Sequence, residues 1–219
     1  MSTPTAFAFF DFDDTLARGD SIFPYLLYCI RRGLAPRRQL FKAAAAFLMW
    51  KVKPDTGRAA KETTLSYITG RKIAEMDQLA RDFFGEVQKR HFFEHGAAEL
   101  LRLREQGVTT VIVSASSDVY MRVLPEFLPV DHVISTVCEV RDGVYTGKVG
   151  KNCKGDEKVR RIQEWLSAQG LSIDKEKSSG YGDSPSDAPM LLLTASPVLV
   201  NPKRKLKERI PGGRIVHWK

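Results

Sequence analysis

The chain has 219 residues, 43% hydrophobic and 27% charged, with a net charge of +8. That is room for one sizeable core plus a smaller inserted module, in the composition of an ordinary soluble globular protein. The positive balance favours acidic partners such as phosphorylated metabolites, anionic lipid or nucleic acid, and has no bearing on fold. Cys29, Cys138 and Cys153 are odd in number, widely spaced and without a C-x-x-C pair, which fits a reduced, intracellular compartment.

The first residues are polar and uncharged, with no secretory pattern, so a cytoplasmic location is expected. The apolar run 6–10 reads as a strand buried on both faces. Directly after it come Asp11-Phe12-Asp13-Asp14-Thr15. In an open α/β sheet ligands bind at the carboxyl ends of the strands, so Asp11 and Asp13 stand where a site belongs. Alternation through the strand end places them on one side, with Phe12 turned into the core. Two carboxylates held together repel, and a hard, oxygen-preferring cation such as magnesium (Mg2+) relieves that repulsion.

Residues 20–91 read as helical throughout. Asp20 or Ser21 can cap a first helix that stops at Gly33, and further helices fit 37–51, 56–67 and 73–91. About a hundred residues separate the first strand from the next, where a crossover needs only about a dozen, so this stretch is expected to be an inserted helical cap. Its apolar run 43–50 is too short to span a bilayer, which takes roughly 20 residues. It reads as cap-helix core, with a membrane-facing surface as the other reading. His91 and His95 have the i, i+4 spacing of a zinc pair but no third ligand and no H-E-x-x-H pattern.

A helix over 94–106, stopped by Gly107, leads to a second buried strand over 109–113. Ser114 and the N–H groups after it, beginning with Ala115, are expected to open a helix and to offer donors to a phosphate oxygen. Alternation over 136–149 around Asp142-Gly143 signals a hairpin. Lys154 and Lys158 flank the start of a helix over 156–169, where an ammonium can balance a carboxylate nucleophile and a phosphate. A weaker strand over 178–182 ends in Gly182-Asp183-Ser184-Pro185-Ser186-Asp187. If it neighbours the first strand, Asp183 completes the metal site and Asp187 orients it from behind. Strands over 197–200 and 214–217 enclose a basic helix face at 203–209. Strands alternating with helices make the fold α/β, a doubly wound, mostly parallel sheet.

The D-x-D-x-T motif, the strand ending in serine, the lysine region and G-D-x-x-x-D come in an order that resembles the haloacid dehalogenase-like superfamily. The helical insertion after the first motif, Asp20-Ser21, the Cys153-x-Gly155-x-x-Lys158 spacing and Val200-Asn201-Pro202 resemble its subfamily IB, the phosphoserine-phosphatase-like branch. The resemblance implies a Rossmann-like core over 1–19 and 92–219 with a helical-bundle cap over 20–91. It implies a magnesium-dependent phosphomonoesterase in which Asp11 is the nucleophile and Asp13 the general acid and base. The metal would sit on Asp11, the backbone carbonyl of Asp13, and Asp183, with Asp187 in support. Thr15, Ser114, Ala115 and a lysine would hold the phosphoryl oxygens. Both Lys154 and Lys158 stand where the motif lysine falls, and the C-x-G-x-x-K spacing favours Lys158. Asp20 stands where relatives carry an acid facing a substrate amino group; an ordinary helix cap is the other reading.

The expected partner is a small phosphorylated metabolite, phosphoserine- or histidinol-phosphate-like. The alternatives are a phosphatase of a glycerophospholipid headgroup such as phosphatidylglycerophosphate, reached by peripheral membrane contact, and a non-catalytic anion- or nucleic-acid-binding protein. Basic residues are not interleaved with aromatics as in single-strand binders, so no nucleic acid is expected. The same covalent intermediate would also serve a phosphotransferase. The sequence leaves the oligomeric state open.

Overall fold

The computed structural model describes residues 2–219, apart from the side chains of Pro54 and Gln88. A short strand β1 (Thr3–Thr5) precedes β2 (Phe7–Phe10), whose four residues are all buried. Such a run, apolar on both faces, suits only the middle of a sheet covered on both sides. There β2 lies, in a six-stranded parallel sheet.

Four helices follow β2: α1 (Ile22–Arg31), α2 (Arg38–Val52), α3 (Gly57–Leu65) and α4 (Ile73–Glu86). The helical reading of residues 20–91 thus matches the elements, although two ends tighten into 3₁₀ turns, at Ser66–Ile68 and Gln88–His91. Then come α5 (Glu94–Glu105), β3 (Thr109–Ser117), the single turn α6 (Asp118–Met121), β4 (His132–Thr136), β5 (Cys138–Arg141) and β6 (Val144–Val149). The chain closes with α7 (Asp156–Gln169), β7 (Leu171–Ile173), β8 (Ser179–Gly182), α8 (Ala188–Leu191), β9 (Ser196–Val200), α9 (Arg204–Arg209) and β10 (Arg214–Val216).

The main sheet runs in the order β10-β9-β8-β2-β3-β4. Strand order therefore reverses at β2, with the next strand of the sheet on one side and a much later one on the other. A crevice opens at such a switch point, outside the carboxyl ends of the strands. One apolar cluster, including Phe10, Phe12, Tyr25, Phe83 and Tyr120, joins one sheet face to the helices after β2. A second, including Phe7, Phe9, Val111 and Ile162, packs α7 and α8 on the other face.

β5 and β6 form the expected antiparallel hairpin, and Asp142 and Gly143 at its tip both have positive φ (50° and 76°), as a type I′ turn requires. The residues just before α4 are laced to this hairpin. The Gly70 N–H donates to the Tyr145 carbonyl, Tyr145 N–H to Arg71, and Ile73 N–H to Gly143. The Glu62 carboxylate accepts from the Val149 N–H at 3.0 Å.

Two readings change. β3 continues through Ser114 to Ser117, so no helix opens at Ala115. The Ser117 hydroxyl accepts from the Val119 N–H and starts α6 three residues later than expected. The run 43–50 is covered on one side only. Ala43 is buried, whereas Leu48 and Met49 are 63% and 54% exposed.

Candidate active site

The turn after β2 is built by Asp14, which takes up a positive φ of 61°. Short polar side chains tolerate that conformation, and here the Asp14 carboxylate accepts from the Gly19 N–H at 2.9 Å. The Thr15, Leu16 and Ala17 N–H groups all donate to the Phe12 carbonyl, which reverses the chain and leaves Asp11 and Asp13 at the sheet's rim. β8 ends beside them, and Gly182 carries the chain into Asp183. The Ser184 N–H and hydroxyl donate to Asp187 Oδ2 at 3.0 and 2.8 Å, folding Asp187 back over β8. The absence of a side chain at Gly182 makes this fit: a Cβ there would lie 2.7 Å from that of Asp187.

Between the two turns stands Lys158, in the first turn of α7 and almost fully buried. Its Nζ donates to Asp11 Oδ1 at 2.6 Å and to Asp187 Oδ1 at 2.7 Å. Burial opposes its charge, but the two carboxylates outweigh that and hold the ammonium above the ordinary lysine range. Lys154 lines the same cavity but makes no bond to the carboxylates, its ammonium lying 4.8 Å from the Trp50 ring centre. Of the two lysines, Lys158 is the one that meets the carboxylates.

Oxygens of Asp11, Asp183 and Asp187 lie within 4.8 Å of one another. The ammoniums at hand do not fully balance them. Burial raises the Asp11 carboxyl well above its usual range against the pull of Lys158, and burial lifts Asp183 to about 6 despite a 2.5 Å bond from Lys203 Nζ. Asp187, by contrast, is held low, because Lys158 and Ser184 outweigh the cost of its burial. A hard divalent cation fits this donor set, which is all oxygen, buried and short of positive charge. Both oxygens of Asp187 already accept hydrogen bonds, whereas Asp11 and Asp183 each accept one side-chain bond through one oxygen.

Asp13 points away from this triad. Its Oδ1 accepts from the Ser21 N–H at 2.9 Å and its Oδ2 from the Ser116 hydroxyl at 2.5 Å. Burial, with repulsion from Asp20 behind it, pushes its carboxyl up to about 7, although Ser116 and Ser21 pull the other way. A group balanced there can both give and take a proton near neutral pH.

A cavity of about 240 Å³ joins these groups to the helices after β2. Asp11, Asp13, Lys158, Asp183 and Asp187 line one end. Asp20, Phe23, Phe47, Trp50 and Lys61 line the other. Asp20 lines the cavity and also accepts from the Ile22 N–H at 2.9 Å, so the helix-start role is real. Ala115 reaches the cavity wall together with Ser116. Ser114 lies behind them, buried, with its hydroxyl accepting from the Ser116 N–H at 3.0 Å. Thr15 is fully enclosed, and its hydroxyl has no hydrogen-bond partner among the described residues. His91 and His95 lie outside the carboxylate cluster, and His95 Nδ1 faces the Lys219 backbone.

Lys61 and Asn152 were not anticipated. From α3, Lys61 reaches across the cavity to the Ala115 carbonyl and to Asn152 Oδ1 at 2.6 Å. Burial lowers its ammonium to about 8, with Asp20 and Asp13 opposing the shift. Its signal in sequence is slight: a lysine on the face of α3 that also carries Thr64 and Leu65.

The description "haloacid dehalogenase-like hydrolase" belongs to a family whose model matches residues 8–192. A Bordetella pertussis protein of unknown function has a similar structure, at 25% identity and TM-score 0.85, covering 98% of this chain and 99% of that one. A phosphoserine phosphatase solved as a phospho-aspartyl intermediate analogue shares the fold at 18% identity and TM-score 0.63, over 97% and 93% of the two chains. A Mycobacterium tuberculosis protein named phosphoserine phosphatase is 28% identical over 93% of this chain and 67% of its own length. A histidinol-phosphatase of Neisseria meningitidis is 26% identical over 92% of each. The chain belongs to the haloacid dehalogenase-like hydrolase family. Within it, this is an enzyme of the phosphatase type, phosphoserine-phosphatase-like in fold.

Proposed function

We propose that the protein is a magnesium-dependent phosphomonoesterase that passes the phosphoryl group through Asp11. The observation that carries this reading is the division of labour between two aspartates two positions apart. Asp11 is gripped by Lys158 in the triad, whereas Asp13 is turned to Ser21 and Ser116 with a carboxyl near neutrality.

In this reading a carboxylate oxygen of Asp11 attacks phosphorus in line, and the bond from phosphorus to the ester oxygen breaks. Asp13 gives its proton to the departing alcohol. It then takes a proton from a water molecule whose oxygen attacks phosphorus, which breaks the aspartyl–phosphorus bond and frees inorganic phosphate and Asp11. Lys158 holds a phosphoryl oxygen and steadies Asp11, the strand end at Ala115 faces the phosphate, and Ser114 and Thr15 support the cradle from behind the cavity wall. Asp11, the Asp13 carbonyl and Asp183 would hold magnesium, oriented by Asp187. Bound there, the ion neutralises charge on the transferring group.

Residues 20–91 act in this proposal as the cap over a core of 1–19 and 92–219. The cavity they help enclose suits a small phosphorylated metabolite. The names of the two relatives, phosphoserine phosphatase and histidinol-phosphatase, support an amino-acid or amino-alcohol phosphate, with Asp20 facing the amino group. The three cysteines are free and buried, in keeping with a cytoplasmic setting. The test is a panel of phosphorylated metabolites assayed in magnesium and in EDTA. We expect turnover only with magnesium, and none from Asp11→Asn despite an unchanged circular dichroism spectrum. Activity retained by that variant refutes the assignment.

A further inference from the structure

Helix α2 has a second face that the cavity does not use. Phe41, Ala44, Ala45, Leu48, Met49 and Val52 follow the spacing i, i+3, i+4, i+7, i+8 and i+11 and are all exposed. At 100° per residue they fall within an arc of about 140°. Phe41 is 76% and Val52 78% exposed. The opposite side of the helix, with Ala43 buried and Phe47 and Trp50 lining the cavity, meets the rest of the molecule. An apolar stripe several side chains long, turned to solvent, marks an interaction surface.

Charge identifies its occupant. Residues 21–54 contain seven cations (Arg31, Arg32, Arg37, Arg38, Lys42, Lys51 and Lys53) and no Asp or Glu, so this stretch carries seven of the eight net positive charges. Lys42 and Lys53 border one edge of the stripe and Lys51 the other. Among the described residues only Arg32 of the seven is paired with an acid, Glu86. A second copy of the chain would bring this charge against itself. A nucleic acid would satisfy the cations and leave the stripe in water. A surface with anionic headgroups above an apolar layer satisfies both, and an apolar face edged by Lys and Arg is how a helix lies in such an interface. At 15 residues α2 is about 22 Å long, too short to span a hydrocarbon core of about 30 Å.

We propose that α2 docks the protein on anionic membrane surfaces, its exposed stripe entering the headgroup boundary and its cations meeting acidic lipid. The proposal is independent of which phosphate ester is hydrolysed.

The test is co-sedimentation of the full chain with vesicles of phosphatidylcholine alone and with vesicles containing one third phosphatidylglycerol. Binding to the anionic vesicles only is expected. The paired substitutions Leu48→Gln with Val52→Gln, and separately Arg38→Glu with Lys42→Glu, should each lower the partition coefficient at least about tenfold. Both pairs are exposed, so melting temperatures should hold. The proposal is overturned by no binding to anionic vesicles, by binding that survives loss of Leu48 and Val52, or by light scattering that shows a dimer which the Leu48/Val52 pair dissociates. Stronger retention by duplex DNA than by anionic vesicles, unaffected by the Leu48/Val52 pair, also overturns it.

Discussion

Replacing Lys158 by methionine probes the centre of the site by removing the ammonium while keeping an unbranched side chain one atom shorter. The ammonium touches two carboxylates at 2.6 and 2.7 Å. At an effective dielectric of about 20, each contact is worth roughly 6 kcal/mol of gross Coulomb energy, most of which offsets the cost of taking the three charges out of water. Deleting the cation leaves that cost uncompensated, with Asp11, Asp183 and Asp187 oxygens inside 4.8 Å. Stranding a buried charge in this way costs about 3–5 kcal/mol. The loss should depend on pH. Without Lys158 the Asp11 carboxyl, already raised by burial, rises further, and Asp187 loses the ammonium that holds it low against its own burial. The folded state then binds more protons than the unfolded state, and stability falls as pH climbs from about 5 to 8. The destabilisation should therefore be largest at pH 8 and shrink towards pH 5. Magnesium should recover part of it, about 2.7 kcal/mol at a hundredfold excess over Kd, and should raise the melting temperature more in the variant than in the parent. Urea denaturation in EDTA and in magnesium, at both pH values, measures all of this. A variant within about 1 kcal/mol of the parent at pH 8 in EDTA would show that Lys158 does not bridge two ionised carboxylates.

Gly182→Ala should cost about 1–3 kcal/mol in a urea titration and blunt magnesium-induced thermal stabilisation, because the new methyl collides with Asp187. Asp183→Asn is expected to weaken magnesium binding at least about tenfold by calorimetry, with activity partly restored by excess metal. Lys61 titrates near 8 when folded against 10.5 when unfolded, so the unfolded chain holds the extra proton between those values. Its contribution to stability should rise by roughly 2–4 kcal/mol as pH goes from 8 to 10.5. The difference in urea midpoint between parent and Lys61→Met across that window should trace this rise, and a flat difference would contradict the burial of the ammonium.

How far the molecule could be read from its sequence follows from the range of the interactions involved. β2, β3 and β9 announce themselves because strands buried on both faces are short apolar runs, β8 (Ser-Gly-Tyr-Gly) only weakly for want of one, and α5 and α7 because Gly107 and Gly170 stop them at positive φ. β1 and β7 pass unnoticed: three residues each, one strand with a proline, paired only to each other. β4 is an edge strand, half-buried at its start, and shows little pattern. The carboxylates were visible because each follows a strand directly, so chain position stands in for spatial position. The other wall of the cavity has no such proxy. Lys61 of α3 meets Asn152 and the Ala115 carbonyl, and Ser116 of β3 meets Asp13, through segments far apart in the chain, and nothing local to any of them encodes the meeting. The outward stripe of α2 leaves both of its readings open, because an apolar run reads the same whether the fold covers it or not.

The lacing between residues 70–73 and the β5–β6 hairpin limits how the cavity can open. A helical lid tethered only at its two chain crossings could swing as a free flap. Here a third attachment, made of main-chain bonds at Gly70, Arg71 and Ile73, ties the root of α4 to the hairpin. Substrate entry that moved α4 would have to drag the hairpin along or break that seam. α3 is tied as well, through Glu62 to the Val149 N–H and through Lys61 to Ala115 and Asn152, so any opening that spared these bonds would fall to the outward-facing helix α2.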